Sequence, residues 1–118
     1  MEFVNDPVNP PAGHYSQAVI ANGLVFLSGI LPKEPSASFE DQVRQVLEKA
    51  NDVLANAGSS LSQAVQCTAY IVGVDNWPEF NRVYKEALGT HKPARTVVPV
   101  TELHHGSLVE LQVIAAAA

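Results

Sequence analysis

The stretch A-V-Q-C-T-A-Y-I-V-G-V, residues 64–74, decides the fold. It carries no charge and is dense in strand-forming side chains. Strict alternation puts Val65, Cys67, Ala69 and Ile71 on one face and Ala64, Tyr70, Val72 and Val74 on the other. Both sets are apolar, so a strand here expects cover on both sides.

Upstream, Phe39, Val43, Val46, Leu47, Ala50, Val53, Leu54 and Ala57 recur at helical spacing. Ser38 is placed to cap this helix, with Asp41 three residues on as a capping-box partner and Gly58 at the C′ position. Downstream, a second helix starts near Asn76 with Pro78 in its first turn. Its apolar stripe is Trp77, Phe80, Tyr84, Ala87 and Leu88, and Gly89 ends it. Further out, Asn22-Gly23 joins S-Q-A-V-I-A to L-V-F-L-S-G as a type I′ hairpin, preceded by a short strand at residues 2–5. Two last strands, at about 95–101 and 108–115, flank the turn E-L-H-H-G-S.

The expected order is β-β-β-α-β-α-β-β, an α+β chain forming one domain over residues 1–118. Two helices cover only one face of such a sheet. The strand at 64–74 asks for cover on both, and another copy of the chain is the simplest source.

Composition narrows the function. Hydrophobic residues make up 47% of the 118, enough for a packed core. No apolar run approaches the roughly 18 residues of a membrane helix, and M-E-F-V-N-D lacks a basic leader region. A soluble, cytoplasmic protein with no membrane partner is expected. The single cysteine, Cys67, excludes an internal disulfide and sits in an apolar run where a buried, inert thiol is expected. Net charge is −5 with no basic run, so no nucleic-acid partner is expected.

Two charges stand inside apolar strands. Arg95 heads the β-branched run of K-P-A-R-T-V-V-P-V, and a guanidinium cannot shed its charge. Glu110 sits in L-V-E-L-Q-V-I-A, where alternation puts Val109, Leu111 and Val113 on one face and Glu110 and Gln112 on the other. Three readings stay open: the two charges pair as a structural salt bridge, both face water, or they line a pocket. In the pocket reading the arginine takes a substrate carboxylate and the glutamate a water.

Weaker candidates accompany them. Tyr15 lies in a loop after Gly13, where packing or surface roles are common. Ser28-Gly29 closes a hairpin strand and can offer backbone N–H groups at close approach. Ser28 has no His–Asp partners in its motif, so no serine hydrolase is read. Asn81 lies beside the apolar stripe of the second helix. His104-His105 are adjacent in a turn, no Cys/His set has zinc spacing, and there is no Gly-rich phosphate loop, so neither metal nor cofactor is expected.

Together these residues resemble the RidA family, also called YjgF or L-PSP. The matching segments are G-H-Y-S-Q-A-V, V-F-L-S-G, V-L-A-N-A-G-S-S-L, F-N-R-V-Y, H-K-P-A-R-T-V-V and L-V-E-L-Q-V-I-A, spanning about residues 10–115. The resemblance implies a chorismate-mutase-like α+β fold, with a mixed six-stranded sheet and two helices on one face. It implies a homotrimer with clefts between subunits. It also implies an enamine/imine deaminase that hydrolyses reactive 2-imino acids to 2-oxo acids and ammonia. On it, Arg95 falls on the carboxylate-binding arginine and Glu110 on the water-orienting glutamate. Tyr15, Ser28, Gly29 and Asn81 fall on pocket positions. Val97 joins the pocket where a cysteine is common two residues after the arginine. His14 replaces a usual proline, Ile30 a frequent glutamine and Gln112 a second acid, and these departures bear on which imine is preferred. The competing readings are a non-catalytic module that binds 2-oxo acids and an endoribonuclease, a name also attached to this family.

Overall fold

The structure, a computed structural model, describes residues 1–117; Ala118, the end of the expected domain, lies outside them. The chain runs β1 (Glu2–Val4), β2 (Ala18–Ala21), β3 (Leu24–Leu27), α1 (Phe39–Asn56), β4 (Ala64–Val72), α2 (Trp77–Leu88), β5 (Ala94–Val100) and β6 (Val109–Ala116). The order agrees with the expected one. The strands form one sheet in the order β1-β2-β3-β6-β4-β5. β4 and β5 are parallel and every other neighbouring pair is antiparallel, so the sheet is mixed.

Both helices lie on one face for a topological reason. β3 and β4 run parallel, each being antiparallel to β6 between them. The crossovers β3-α1-β4 and β4-α2-β5 therefore step the same way across the sheet. Connections of one hand stepping in one direction put their helices on one side.

Local signals explain the elements. Asn22 and Gly23, with φ of 53° and 78°, make the positive-φ turn between β2 and β3. Ser38 Oγ accepts from the Asp41 N–H at 3.2 Å, capping α1. Asp41 does not complete a capping box; its carboxylate lies 3.5 Å from the Arg44 guanidinium one turn on. Asn76 precedes α2 without capping it, because its amide donates to the Val72 carbonyl at 2.9 Å.

The core is one layer between the helices and the sheet. Val43, Val46, Ala50 and Leu54 of α1 and Phe80 and Val83 of α2 meet Val25, Cys67, Ala69, Ile71, Val109, Leu111 and Val113. Each large apolar side chain buried in this way contributes about 1.5–3 kcal/mol. Val83 is buried and Ala87 exposed, the reverse of the expected stripe, and Trp77 is 37% exposed.

The strand at 64–74 departs from strict alternation. Pairing with β6 slips between Ala64 and Gln66, and Val65 becomes the extra residue of a bulge. Ala64 therefore turns inward and Val65 is 48% exposed. The strand ends at Val72, and Val74 begins a 3-10 turn instead of continuing it.

Opposite the helices, the sheet presents Phe3, Val19, Phe26, Tyr70, Val98 and Ile114, with Phe3 67% and Phe26 39% exposed. The helices leave this face uncovered, as the sequence leads one to expect, but it is mixed rather than apolar throughout: Gln66, Thr68, Thr96, Glu110 and Gln112 share it. Among the described residues, no helix is long and apolar enough to cross a membrane.

Candidate functional site

Arg95 enters at the start of β5, in register with Cys67 of β4. Cys67 is buried against the helices, so Arg95 rises on the helix side, at the exposed edge of the sheet. Its Nη1 donates to Asn81 Oδ1 at 2.9 Å. The guanidinium carbon lies 5.0 Å from the Tyr84 ring centre and 5.8 Å from that of Phe80. One amide and two aromatic faces thus hold a cation that is itself exposed. Val97, two residues along and buried, continues the same side. Beneath, burial pushes the Cys67 thiol and the Tyr84 phenol above their ordinary pKa values. The thiol is buried, as expected. A cleft of about 360 Å³ opens beside Arg95, lined also by Asn81, Tyr84, Lys85, His91 and Lys92.

Glu110 is half-buried on β6, in register with Tyr70 of β4. Tyr70 and Cys67 have opposite parity on one regular stretch of strand, so Glu110 faces away from the helices. Beside it, Ile30 makes an isolated bridge to Leu111, its N–H donating at 2.7 Å and its carbonyl accepting at 3.0 Å. That bridge brings Gly29 against Glu110. A Cβ built on Gly29 would stand 3.1 Å from Glu110 Cδ and nearer still to Oε2. Ser28 Oγ donates to the Ser16 carbonyl at 2.6 Å, and the Ser28 N–H donates to the Gln17 carbonyl at 3.1 Å. These bonds tie the loop bearing Tyr15, 51% exposed, to the same end of β3.

The expected site residues therefore fall in two groups. Arg95, Asn81 and Val97 lie together on the helix side at the β5 edge. Ser28, Gly29 and Glu110, with the Tyr15 loop tied to Ser28, lie on the helix-free side. Within one chain the two groups are apart: β5 and β6 are separated by β4, two strand spacings or about 9.5 Å. No ion pair joins Arg95 to Glu110 among the described residues. The salt-bridge reading of the pair is thereby removed.

A wider cavity, about 630 Å³, lies between α1, α2 and the turn at Leu61–Gln63. It contains none of the expected residues. Of its charged lining, Arg44 and Glu86 pair with each other, Arg44 Nη2 lying 3.6 Å from Glu86 Oε2. Among the described residues no three His, Cys, Asp or Glu side chains gather to hold a metal. His104 and His105 lie against each other, ring centres 3.8 Å apart and planes tilted by 43°.

The segments that build these two groups are those of a known family. The family model described as endoribonuclease L-PSP matches residues 7–117. The chain belongs to this family, the RidA/YjgF/L-PSP proteins. A RutC family protein of Pyrococcus horikoshii is 37% identical over 111 residues, covering 89% of this chain and 88% of that protein. The chloroplastic Reactive Intermediate Deaminase A of Arabidopsis thaliana is 35% identical over 121 residues, covering 97% of this chain and 65% of that one. Among solved structures, Escherichia coli TdcF with bound serine superposes with a TM-score of 0.90 at 28% identity, covering 100% of both chains. The fold is the chorismate-mutase-like one of this family. Sequence reasoning passed over Phe80 and Tyr84 as holders of Arg95, having placed both in the apolar stripe. Their spacing of one helical turn was the available signal.

Proposed function

We propose that the protein is an enamine/imine deaminase that hydrolyses small 2-imino acids to 2-oxo acids and ammonia, in clefts between copies of a homotrimer. The observation that carries this reading is Arg95: fixed by Asn81 and two aromatic rings, exposed, and without a carboxylate partner among the described residues. A guanidinium so held presents a planar fork to a carboxylate. Family membership and the relative named a deaminase support the reaction class, and the relative with bound serine supports a small amino-acid-like ligand.

The chemistry uses few groups. Arg95 binds the carboxylate and sets the plane of C2. Glu110 accepts a proton from a water as its oxygen attacks C2. Glu110 passes that proton to the imine nitrogen, giving a carbinolamine; its hydroxyl proton then moves by way of Glu110 to the amino nitrogen as the C–N bond breaks, and ammonia leaves with the 2-oxo acid behind. Positioning supplies most of the gain, because an imine is already electrophilic.

Arg95 and Glu110 lie on opposite faces of one sheet, so the reading requires two copies, each giving one half of the site. The uncovered sheet face, with Phe3, Phe26, Val19 and Tyr70 on it, supplies a surface for that assembly. Light scattering should give the mass of three chains at micromolar concentration. The decisive test mixes two inactive variants, Arg95→Ala and Glu110→Gln, unfolded and refolded together. If the halves come from different copies, mixed assemblies regain imine hydrolysis, because some clefts hold both intact residues. No recovery in verified mixed assemblies counts against the shared site.

The endoribonuclease reading has the family description behind it. The net charge of −5 and the lack of a basic stripe weigh against binding of a polyanionic chain.

A further inference from the structure

The cations of this chain are divided unequally. Arg44 and Arg82 are saturated, pairing with Glu40, Asp41, Glu79 and Glu86 across α1 and α2. By contrast, three of the seven Lys and Arg residues, Lys85, Lys92 and Arg95, line the cleft at the β5 edge. None of the three meets a carboxylate within salt-bridge distance among the described residues. The chain has 12 Asp and Glu residues, and none lines this cleft. The remaining titratable lining is Tyr84 and His91, and the His91 ring is held by the Ala64 carbonyl at 2.8 Å. An acidic protein thus keeps a small concave surface of one sign. Like charges gathered without counter-ions repel one another, and an anion relieves the repulsion.

A single carboxylate on Arg95 leaves both lysines uncompensated. We propose that the cleft selects ligands with two anionic groups: a carboxylate on Arg95 and a second carboxylate or phosphate held by Lys85 and Lys92. This rests on the reading of Arg95 as a carboxylate site and names the substrate class, 2-imino acids with an anionic side chain. The lysines are exposed, so they act through charge more than through fixed geometry.

Calorimetric titration of the intact protein tests this with three probes: 2-oxobutanoate, 2-oxoglutarate and phosphoenolpyruvate. At low salt, 2-oxoglutarate or phosphoenolpyruvate should bind about 3- to 10-fold tighter than 2-oxobutanoate, the scale of two exposed ion pairs. Which of the two binds tighter identifies the second group. The preference should shrink as salt is raised. It should vanish in the double variant K85A/K92A and persist in K33A, whose lysine lies outside the cleft. Equal affinity for all three probes overturns the proposal, as does a preference that survives K85A/K92A. Displacement of the dianion by a short RNA bound more tightly also overturns it. Imine hydrolysis is followed separately. Loss of the preference with hydrolysis intact removes only this inference, whereas a preference without hydrolysis removes the deaminase reading.

Discussion

The Glu110 carboxylate occupies the space that a side chain on Gly29 would take. A Cβ there would stand 3.1 Å from Glu110 Cδ. The glycine is needed for close approach: the bridge between Ile30 and Leu111 presses the Gly29 backbone onto the neighbouring strand. Gly29→Ala should leave the fold intact, since the obstructing group is the end of a flexible side chain, and should push the carboxylate off its position. A displacement near 1 Å costs about 10²-fold in rate. Near-native melts with turnover lowered to this extent are expected; unchanged turnover would separate Glu110 from the chemistry.

Arg95→Ala should abolish imine hydrolysis and 2-oxo acid binding together. The melting temperature should fall little, since Arg95 has no ion-pair partner among the described residues and its ring contacts contribute about 0.5–1 kcal/mol. Arg95→Lys should restore little, because an ammonium cannot form two parallel hydrogen bonds. Strong rescue by lysine would show that charge alone suffices.

Glu110→Gln keeps the shape beside Gly29 and loses the base. Ligand binding should persist while turnover drops about 10²–10⁴-fold. Calorimetry beside the imine assay reads both. Loss of binding with turnover unchanged per bound ligand would move Glu110 from catalysis to recognition.

Gln42→Ala should be among the most destabilising single changes. Gln42 is fully buried, donates to the Pro35 and Ala37 carbonyls at 3.0 and 2.9 Å, and accepts from the Leu108 N–H at 2.8 Å. Each backbone group left unpaired costs about 1–3 kcal/mol. A drop of several degrees in melting temperature is expected, and a shift under one degree would count against this role.

Acid should weaken the link between the helices. Hydrogen bonds from Arg82, and secondarily from Arg44, hold the Glu40 carboxyl below its ordinary value of 4.5. A depressed folded pKa adds stability above the ordinary value, and that stability is lost as pH falls through the folded one. Melting temperature should therefore decline below pH of about 4.5, and Glu40→Gln should make that decline shallower. An unchanged acid limb in the variant would show that exposure and screening have cancelled the pair.

The strands and helices were legible because each carries its own punctuation: Asn22-Gly23, Ser38, Gly58 and Gly89. The bulge at Val65 was not, because a slip of one residue depends on the partner strand and leaves no local mark. Nothing in the sequence singles out Gln42 as buried, since its partners lie at Pro35, Ala37 and Leu108 and only the folded chain brings them together. Alternation assigned Glu110 and Gln112 to one face but did not say which face that was relative to Arg95. That required knowing that β4 lies between them and that Cys67 and Tyr70 point opposite ways. Lys85 and Lys92 were invisible as a pair, since α2 and the loop before β5 converge only in space.

The position of β6 has a consequence for how the molecule comes into being. It is the last strand in sequence but the fourth across the sheet, bonded to β3 on one side and β4 on the other. Before residues 109–116 leave the ribosome, β1–β3 and β4–β5 are two fragments with no seam between them, each with a bare inner edge. Closure is a late insertion between distant parts of the chain, which places the slow step of folding after β6 has emerged. The interval before it is when such edges are open to pairing with other nascent chains. The strand carrying the proposed catalytic glutamate is thus also the strand that completes the sheet, so a chain truncated before it lacks both.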